Sequence, residues 1–299
     1  MSFVHVGHYT DHQHKTGSSV FLFETPARAV YLLCGAAPAT RDVHTLEPAS
    51  IVDGIHGLVL TGGSAFGLDA VAGAMTFLRE KNRGFMTPSG VVPIVPAAAM
   101  YDLTVSTARP TADNVYQACQ AAVPDQSISG RIGAGTGASV GKMIPHAKAM
   151  SSGLGCATVR LSNNVTVTAY AVVNALGNIK DQQGNIIAGA RLPDGSFADI
   201  EKYLLSEQSQ IEPFPNTNTT LVAVMTNAKF TKAELLRIAR MASSGMARAI
   251  FPVFTRYDGD IIFAISTGDL LASENSVSVA AAEAVRLAIL DAVRESVVI

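Results

Sequence analysis

The sequence predicts an α/β fold, built as a layered sandwich of helices and sheets. Three observations carry that prediction. Strand-type and helix-type apolar patterns interleave along the 299 residues. Several strand patterns adjoin with no helix between them, which disfavours a purely parallel, doubly wound sheet. Hydrophobic residues make up 48% and charged residues 15% of the chain, and mean hydropathy is +0.28. That balance supports a large core and argues against disorder.

Composition also narrows the function classes. A net charge of −2 offers no electrostatic pull toward nucleic acid or an anionic membrane. No apolar run reaches the roughly 18–20 residues that span a bilayer. Met1-Ser2-Phe3-Val4-His5 lacks the basic stretch and apolar core of a signal peptide. Sparse charge leaves a weakly polar surface, which fits a homo-oligomer. Cys34, Cys119 and Cys156 are widely spaced and odd in number, so neither a disulfide framework nor a paired zinc motif is expected. The expectation is a cytoplasmic protein with free, buried thiols.

The elements follow in order. His5, His8, His12 and His14 cluster near the start, but with no Cys or acidic partner at ligand spacing a metal site is disfavoured, and His12 and His14 read as a solvated loop. Gly17–Phe23 and Arg28–Cys34 read as two strands, with Glu24-Thr25-Pro26 as a hairpin turn between them. Gly57–Leu60 reads as a strand that ends in Thr61-Gly62-Gly63-Ser64-Ala65-Phe66-Gly67 and enters a helix, with Leu68, Val71, Ala72, Met75 and Leu78 as its stripe. A glycine turn at a helix start can hold an anion. Here the Walker lysine and the full dinucleotide fingerprint are missing, so tight strand–helix packing is the preferred reading. Val91–Leu103 is apolar and proline-marked, and contains Tyr101 and Asp102 near its end. Thr111 caps a short helix running to about Val123.

Gly130–Lys142 is glycine-rich and ends on an isolated lysine. It fails as a phosphate loop and suits close-packed backbone around a reaction centre, with Lys142 able to stabilise an anion. Asn164–Asn174 alternates like a strand. Residues 178–216 are polar and read as a linker. Asn216–Thr226 then changes abruptly to a buried strand. Asn218-Thr219 at that boundary is either an ordinary loop entering a strand or a scissile bond on an exposed, flexible backbone. Cleavage there would leave Thr219 with a hydroxyl nucleophile and its own α-amine as base. Thr231-Lys232-Ala233-Glu234 is a capping box opening a helix with Leu235, Ile238, Ala239, Ala242 and Met246 inside. Asp258-Gly259-Asp260 is a tight turn before the strand Ile261–Thr267, and an Ala-rich helix of about Ser276–Ser296 closes the chain.

Together these segments resemble the L-aminopeptidase/D-esterase family, which includes β-peptidyl aminopeptidases and nylon-oligomer (6-aminohexanoate oligomer) hydrolases. The segments are Val6-Gly7-His8, Leu60–Asp69, Val92–Ala98, Gly133–Ala138, Val173–Gly177, Asn218–Leu221 and Asp258–Asp260, spread over the whole chain. The resemblance implies a four-layer αββα sandwich like that of N-terminal-nucleophile hydrolases, formed as a single domain over 1–299. It implies self-cleavage into chains 1–218 and 219–299, with Thr219 as nucleophile. It implies Tyr101, Asn174 and Lys142 at the oxyanion site and Asp258 and Asp260 as partners of the nucleophile. It implies small peptide, amide or ester substrates, no metal or organic cofactor, and a tetramer. Asn227 and Ser151-Ser152-Gly153 depart from the family's usual Asp and more basic segment. Two other readings stay open: an acyl transferase like the ornithine acetyltransferases, and an unprocessed anion-binding protein.

Overall fold

The computed structural model describes residues 4–106, 108–124, 127–206 and 218–299. Two sheets face each other, and one strand belongs to both. The first sheet holds β1 (Val4–Asp11), the first half of β2 (Thr16–Leu33), β3 (Ala39–Arg41), β4 (Ile55–Thr61) and β5 (Ala97–Ala99). Its helices are α1 (Val71–Glu80) and α2 (Ala112–Gln120). The second sheet runs β6 (Leu154–Arg160), β7 (Thr166–Asn174), β8 (Thr219–Ala228), β9 (Ile261–Leu270) and then the second half of β2. Its helices are α3 (Lys232–Ala247) and α4 (Glu274–Asp291).

Side-chain alternation assigns the layers. In β8, Leu221, Ala223 and Met225 face the first sheet, together with Ile261, Phe263 and Ile265 of β9 and Phe21, Leu58 and Leu60 from the sheet opposite. Val222, Val224, Ile262 and Ala264 face the other way, onto Leu235, Ile238, Ala281 and Val285 of α3 and α4. Val20, Leu22 and Val59 meet Val71, Ala74, Val115 and Ala118 of α1 and α2. The order is helix, sheet, sheet, helix: the four-layer αββα sandwich. Both sheets are covered on both faces, which is why β8 and β9 read as unbroken apolar runs.

Two expectations need correction. Residues 24–26 do not reverse the chain. β2 continues through them as one strand, its first half paired with β1 and β4 and its second with β9. The register with β4 shifts between Leu22 and Ala27, where Glu24, Thr25 and Pro26 lie exposed. Turn residues here bend a strand from one sheet into the other. Residues 178–206 are not a bare linker either. Asn178–Lys180 pairs with both Ile186–Ala188 and Ile250–Phe251, and Ile200–Leu205 is a short helix capped by Asp199. The rest of that stretch, 207–217, lies outside the described residues. The solvated-loop reading of His12 and His14 holds. His12 and His14 are exposed in a turn, while His8 sits within β1, with Nδ1 2.9 Å from Ser19 Oγ, and burial pushes its pKa down to about 4.

Among the described residues no helix is long and apolar enough to cross a membrane. The expected helices form with slightly tighter limits than the patterns suggested, and α3 carries its capping box: Thr231 Oγ1 accepts from Glu234 N–H while the Glu234 carboxylate accepts from Thr231 N–H.

Candidate active site

Three strand ends meet at Thr219. It opens β8 and pairs with Asn174, the last residue of the antiparallel neighbour β7. On its other side β9 runs parallel to β8, so the two strands start side by side. The residues leading into β9 therefore lie beside those leading into β8, and Asn218 forms a parallel bridge with Asp258. One antiparallel and one parallel neighbour thus bring Asn174, Thr219 and Asp258-Gly259-Asp260 together from three regions of the chain.

The Asn218–Thr219 bond is buried, with Asn218 0% and Thr219 3% exposed. This corrects the expectation of an exposed, flexible cleavage point. An internal nucleophile needs no access for an outside protease. Asn218 N–H donates to the Tyr257 carbonyl at 3.0 Å, and the Asn218 carbonyl accepts from Gly259 N–H at 2.6 Å. A β-carbon at Gly259 would lie 2.9 Å from Thr219 Oγ1 and 2.7 Å from the Ala37 carbonyl oxygen. Glycine is the residue that lets this turn approach so closely.

The two acids hold backbone. Asp260 Oδ1 accepts from Thr220 N–H at 2.6 Å and Oδ2 from Phe254 N–H at 3.3 Å. Asp258 Oδ2 accepts from Thr255 N–H at 2.8 Å and from Thr255 Oγ1 at 2.6 Å. The segment after β2 clamps the same turn from behind: Cys34 and Gly35 N–H donate to the Asp260 carbonyl, and Ala37 N–H to that of Asp258.

Lys142 reaches in from the glycine-rich segment. Its Nζ donates to Asn174 Oδ1 at 2.7 Å and to the Asn174 carbonyl at 3.1 Å. Asn174 Oδ1 also accepts from Ser139 N–H, and its Nδ2 donates to the Tyr101 carbonyl at 3.0 Å. Tyr101 is therefore tied in through its backbone. Gly141, at φ +77°, makes the approach of Lys142 possible, since a β-carbon there would lie 2.0 Å from Ala190 N. The glycine-rich segment is anchored by Gly133 N–H to Thr10 Oγ1 and Ala134 N–H to Ser19 Oγ.

Charge is constrained in this enclosure. Burial pushes the Lys142 ammonium down to about 7, against the pull of Asp258 and Asp260. Burial, with Asp258 nearby, pushes Asp260 up to about 7, and burial also raises Asp258. Groups whose protons are held this loosely near neutrality suit proton transfer. All seven sequence-predicted residues, Tyr101, Lys142, Asn174, Asn218, Thr219, Asp258 and Asp260, lie in or beside this network. Sequence reasoning missed the Gly259 N–H and the supporting Thr255. The only trace of the first was a glycine between two acids, which reads simply as a turn. The Gly62–Gly67 turn is tight packing, as expected: a β-carbon on Gly67 would lie 1.8 Å from the Gly62 carbonyl oxygen, and Asp102 accepts from Gly63 N–H and Thr16 Oγ1.

Comparison with known proteins bears on the family and the fold. A family model described as peptidase family S58 matches residues 2–299. The chain is 41% identical over 244 residues to an uncharacterized aminopeptidase of Mycobacterium tuberculosis (strain ATCC 25618 / H37Rv), covering 78% of this chain and 68% of the relative. It is 31% identical over 220 residues to a 6-aminohexanoate-oligomer endohydrolase of Agromyces sp. (strain KY5R), covering 72% and 61%. Among solved structures, the L-aminopeptidase D-Ala-esterase/amidase of Ochrobactrum anthropi, described as a variant of the Ntn hydrolase fold, superposes with a TM-score of 0.70 at 18% identity. That match covers 97% of this chain and 83% of the other.

Proposed function

The chain belongs to peptidase family S58, and on that premise we propose that it is a self-processing amide hydrolase whose nucleophile is the Thr219 hydroxyl, freed by cleavage after Asn218. The observation that carries this reading is the convergence of three strand ends. It surrounds a buried Asn-Thr bond with a lysine, an asparagine and two carboxyls.

In the first stage Thr219 Oγ attacks the Asn218 carbonyl, and the resulting ester is cleaved by water. Burial brings Lys142 down to about 7 and Asp260 up to about 7 and also raises Asp258, which suits moving a proton from Oγ to the departing nitrogen. The products are chains 1–218 and 219–299. In the second stage the Thr219 amine takes the hydroxyl proton, and Oγ attacks a substrate amide or ester carbonyl. Asn174 and Lys142, with Tyr101 joined to Asn174 through its carbonyl, form the proposed oxyanion set; one such donor is worth about 3 kcal/mol. Asp258 and Asp260 fix the turn beside the new ammonium.

The relatives named an aminopeptidase and a 6-aminohexanoate-oligomer endohydrolase favour peptide or 6-aminohexanoate-oligomer amides as substrates. Denaturing mass spectrometry tests the first stage. Two masses that sum to the full chain plus one water are expected, and a single mass that persists on incubation sinks the proposal. Thr219→Ala should stay whole and hydrolyse none of a panel of amino-acid p-nitroanilides and 6-aminohexanoate oligomers.

A further inference from the structure

We propose that the backbone N–H of Gly259 is the oxyanion donor for cleavage of the Asn218–Thr219 bond, separate from the side-chain set around Lys142 and Asn174. The inference rests on the cleavage reading above.

Gly259 N–H donates to the Asn218 carbonyl oxygen, the atom that gains charge when the bond is cut, at 2.6 Å. The side-chain set bonds elsewhere: Lys142 Nζ to two oxygens of Asn174, Ser139 N–H to Asn174 Oδ1, and Asn174 Nδ2 to the Tyr101 carbonyl. Before cleavage, a backbone amide is already in place as a donor on the scissile carbonyl.

The chemistry balances around that donor. Thr219 Oγ adds to the Asn218 carbonyl carbon, and the carbonyl π electrons move onto the oxygen held by Gly259. Collapse breaks the bond to the Thr219 nitrogen, which gains the proton that Oγ loses, leaving an ester. Water then adds to the same carbonyl carbon, and charge develops on the same oxygen a second time. Collapse releases the Asn218 carboxylic acid and the Thr219 hydroxyl.

The turn is built to keep the donor there. Three N–H groups of the 34–37 segment hold the Asp258 and Asp260 carbonyls. Ala37 holds the carbonyl of the very peptide that carries the Gly259 N–H, and Cys34 and Gly35 hold the chain one residue further on; a donor tethered in this way is preorganised for the charge that develops. The residue must be glycine, because a side chain would meet Thr219 Oγ1 and the Ala37 carbonyl at 2.9 and 2.7 Å.

The test removes the one N–H in question; the ester also weakens the Asp258 carbonyl that Ala37 N–H holds. Glycolic acid is incorporated at position 259 during translation, which replaces the amide N–H by an ester oxygen. Cleavage is followed by denaturing mass spectrometry beside the parent chain. Cleavage slower by about 10²–10³-fold is expected, the usual effect of losing one oxyanion donor. A parent that cleaves beside a glycolate variant that cleaves equally fast overturns the inference and leaves the cleavage reading standing. A parent that stays whole sinks both. A second measurement does not depend on the variant folding. In the uncleaved Thr219→Ala precursor, a through-hydrogen-bond coupling is expected between the Gly259 amide nitrogen and the Asn218 carbonyl carbon. Its absence in a folded precursor overturns the inference.

Discussion

Lys142 ends on two oxygens of one asparagine, in a site that disfavours its charge. Its folded pKa of about 7 lies below the ordinary lysine value of 10.5. The folded protein therefore carries the full penalty of the charged form below pH 7 and sheds it as pH rises toward 10. Relative to Lys142→Met, the parent should gain stability across that window, read as urea midpoints at pH 7 and pH 10. A parent that loses ground over the same interval contradicts the sign. Asn227, where the family resemblance anticipates aspartate, lies at the far end of β8 from Thr219. Its Oδ1 accepts from Thr166 N–H and its Nδ2 donates to the Asn164 carbonyl. Asn227→Asp sets a carboxylate against that carbonyl and should cost about 1–2 kcal/mol of stability, with cleavage unchanged by mass spectrometry. Thr219 and the two aspartates stood out in the sequence as polar residues at the borders of apolar strands, Lys142 as an isolated charge after a glycine-rich run, and Asn174 through the family resemblance. Gly259 was not. A backbone donor leaves no trace in residue type, and its aim is set by the 34–37 segment, more than two hundred positions earlier.

At the scale of elements, β2 shows where local signals mislead. Glu24-Thr25-Pro26 carries the same turn chemistry whether a chain reverses or only bends. The choice is made by partners: β1 and β4 for the first half, β9 for the second. None of those is near enough in sequence to be read from the turn. The polar 178–206 stretch escaped for the same reason, since Asn178–Lys180 pairs in part with Ile250–Phe251. Helices, whose bonds are local, were read closely. β2 also fills the space between the sheets. Phe21 is fully buried and meets Tyr170 edge-on at 4.9 Å. Phe21→Ala should destabilise by about 3–5 kcal/mol in urea unfolding. Thr231→Ala, which removes one cap of α3, should cost only about 1 kcal/mol. Equal losses for the two would contradict the layer assignment.

Across the whole molecule, the layered sandwich was legible from the interleaving of elements, and the number of layers came from resemblance rather than periodicity. Long-range pairing accounts for that gap. The proposed 219–299 chain supplies β8 and β9, which sit between β7 and β2 of the 1–218 chain, and α3 and α4, which cover them. The two chains should co-elute in native size exclusion after cleavage and separate in denaturant; spontaneous separation in buffer would contradict the strand order.

That insertion of two strands between two others has a kinetic consequence. Before cleavage, one covalent chain brings the four strands together, so folding is first order and its rate is indifferent to dilution. After cleavage, the same sheet must be rebuilt from two molecules that have to find each other. Refolding of the mature protein from denaturant should become second order, slowing in proportion as the protein is diluted, whereas Thr219→Ala refolds at one rate throughout. The proposed cut would thus make assembly a one-time event: the tether that guides the strands into register would exist only until they are in place.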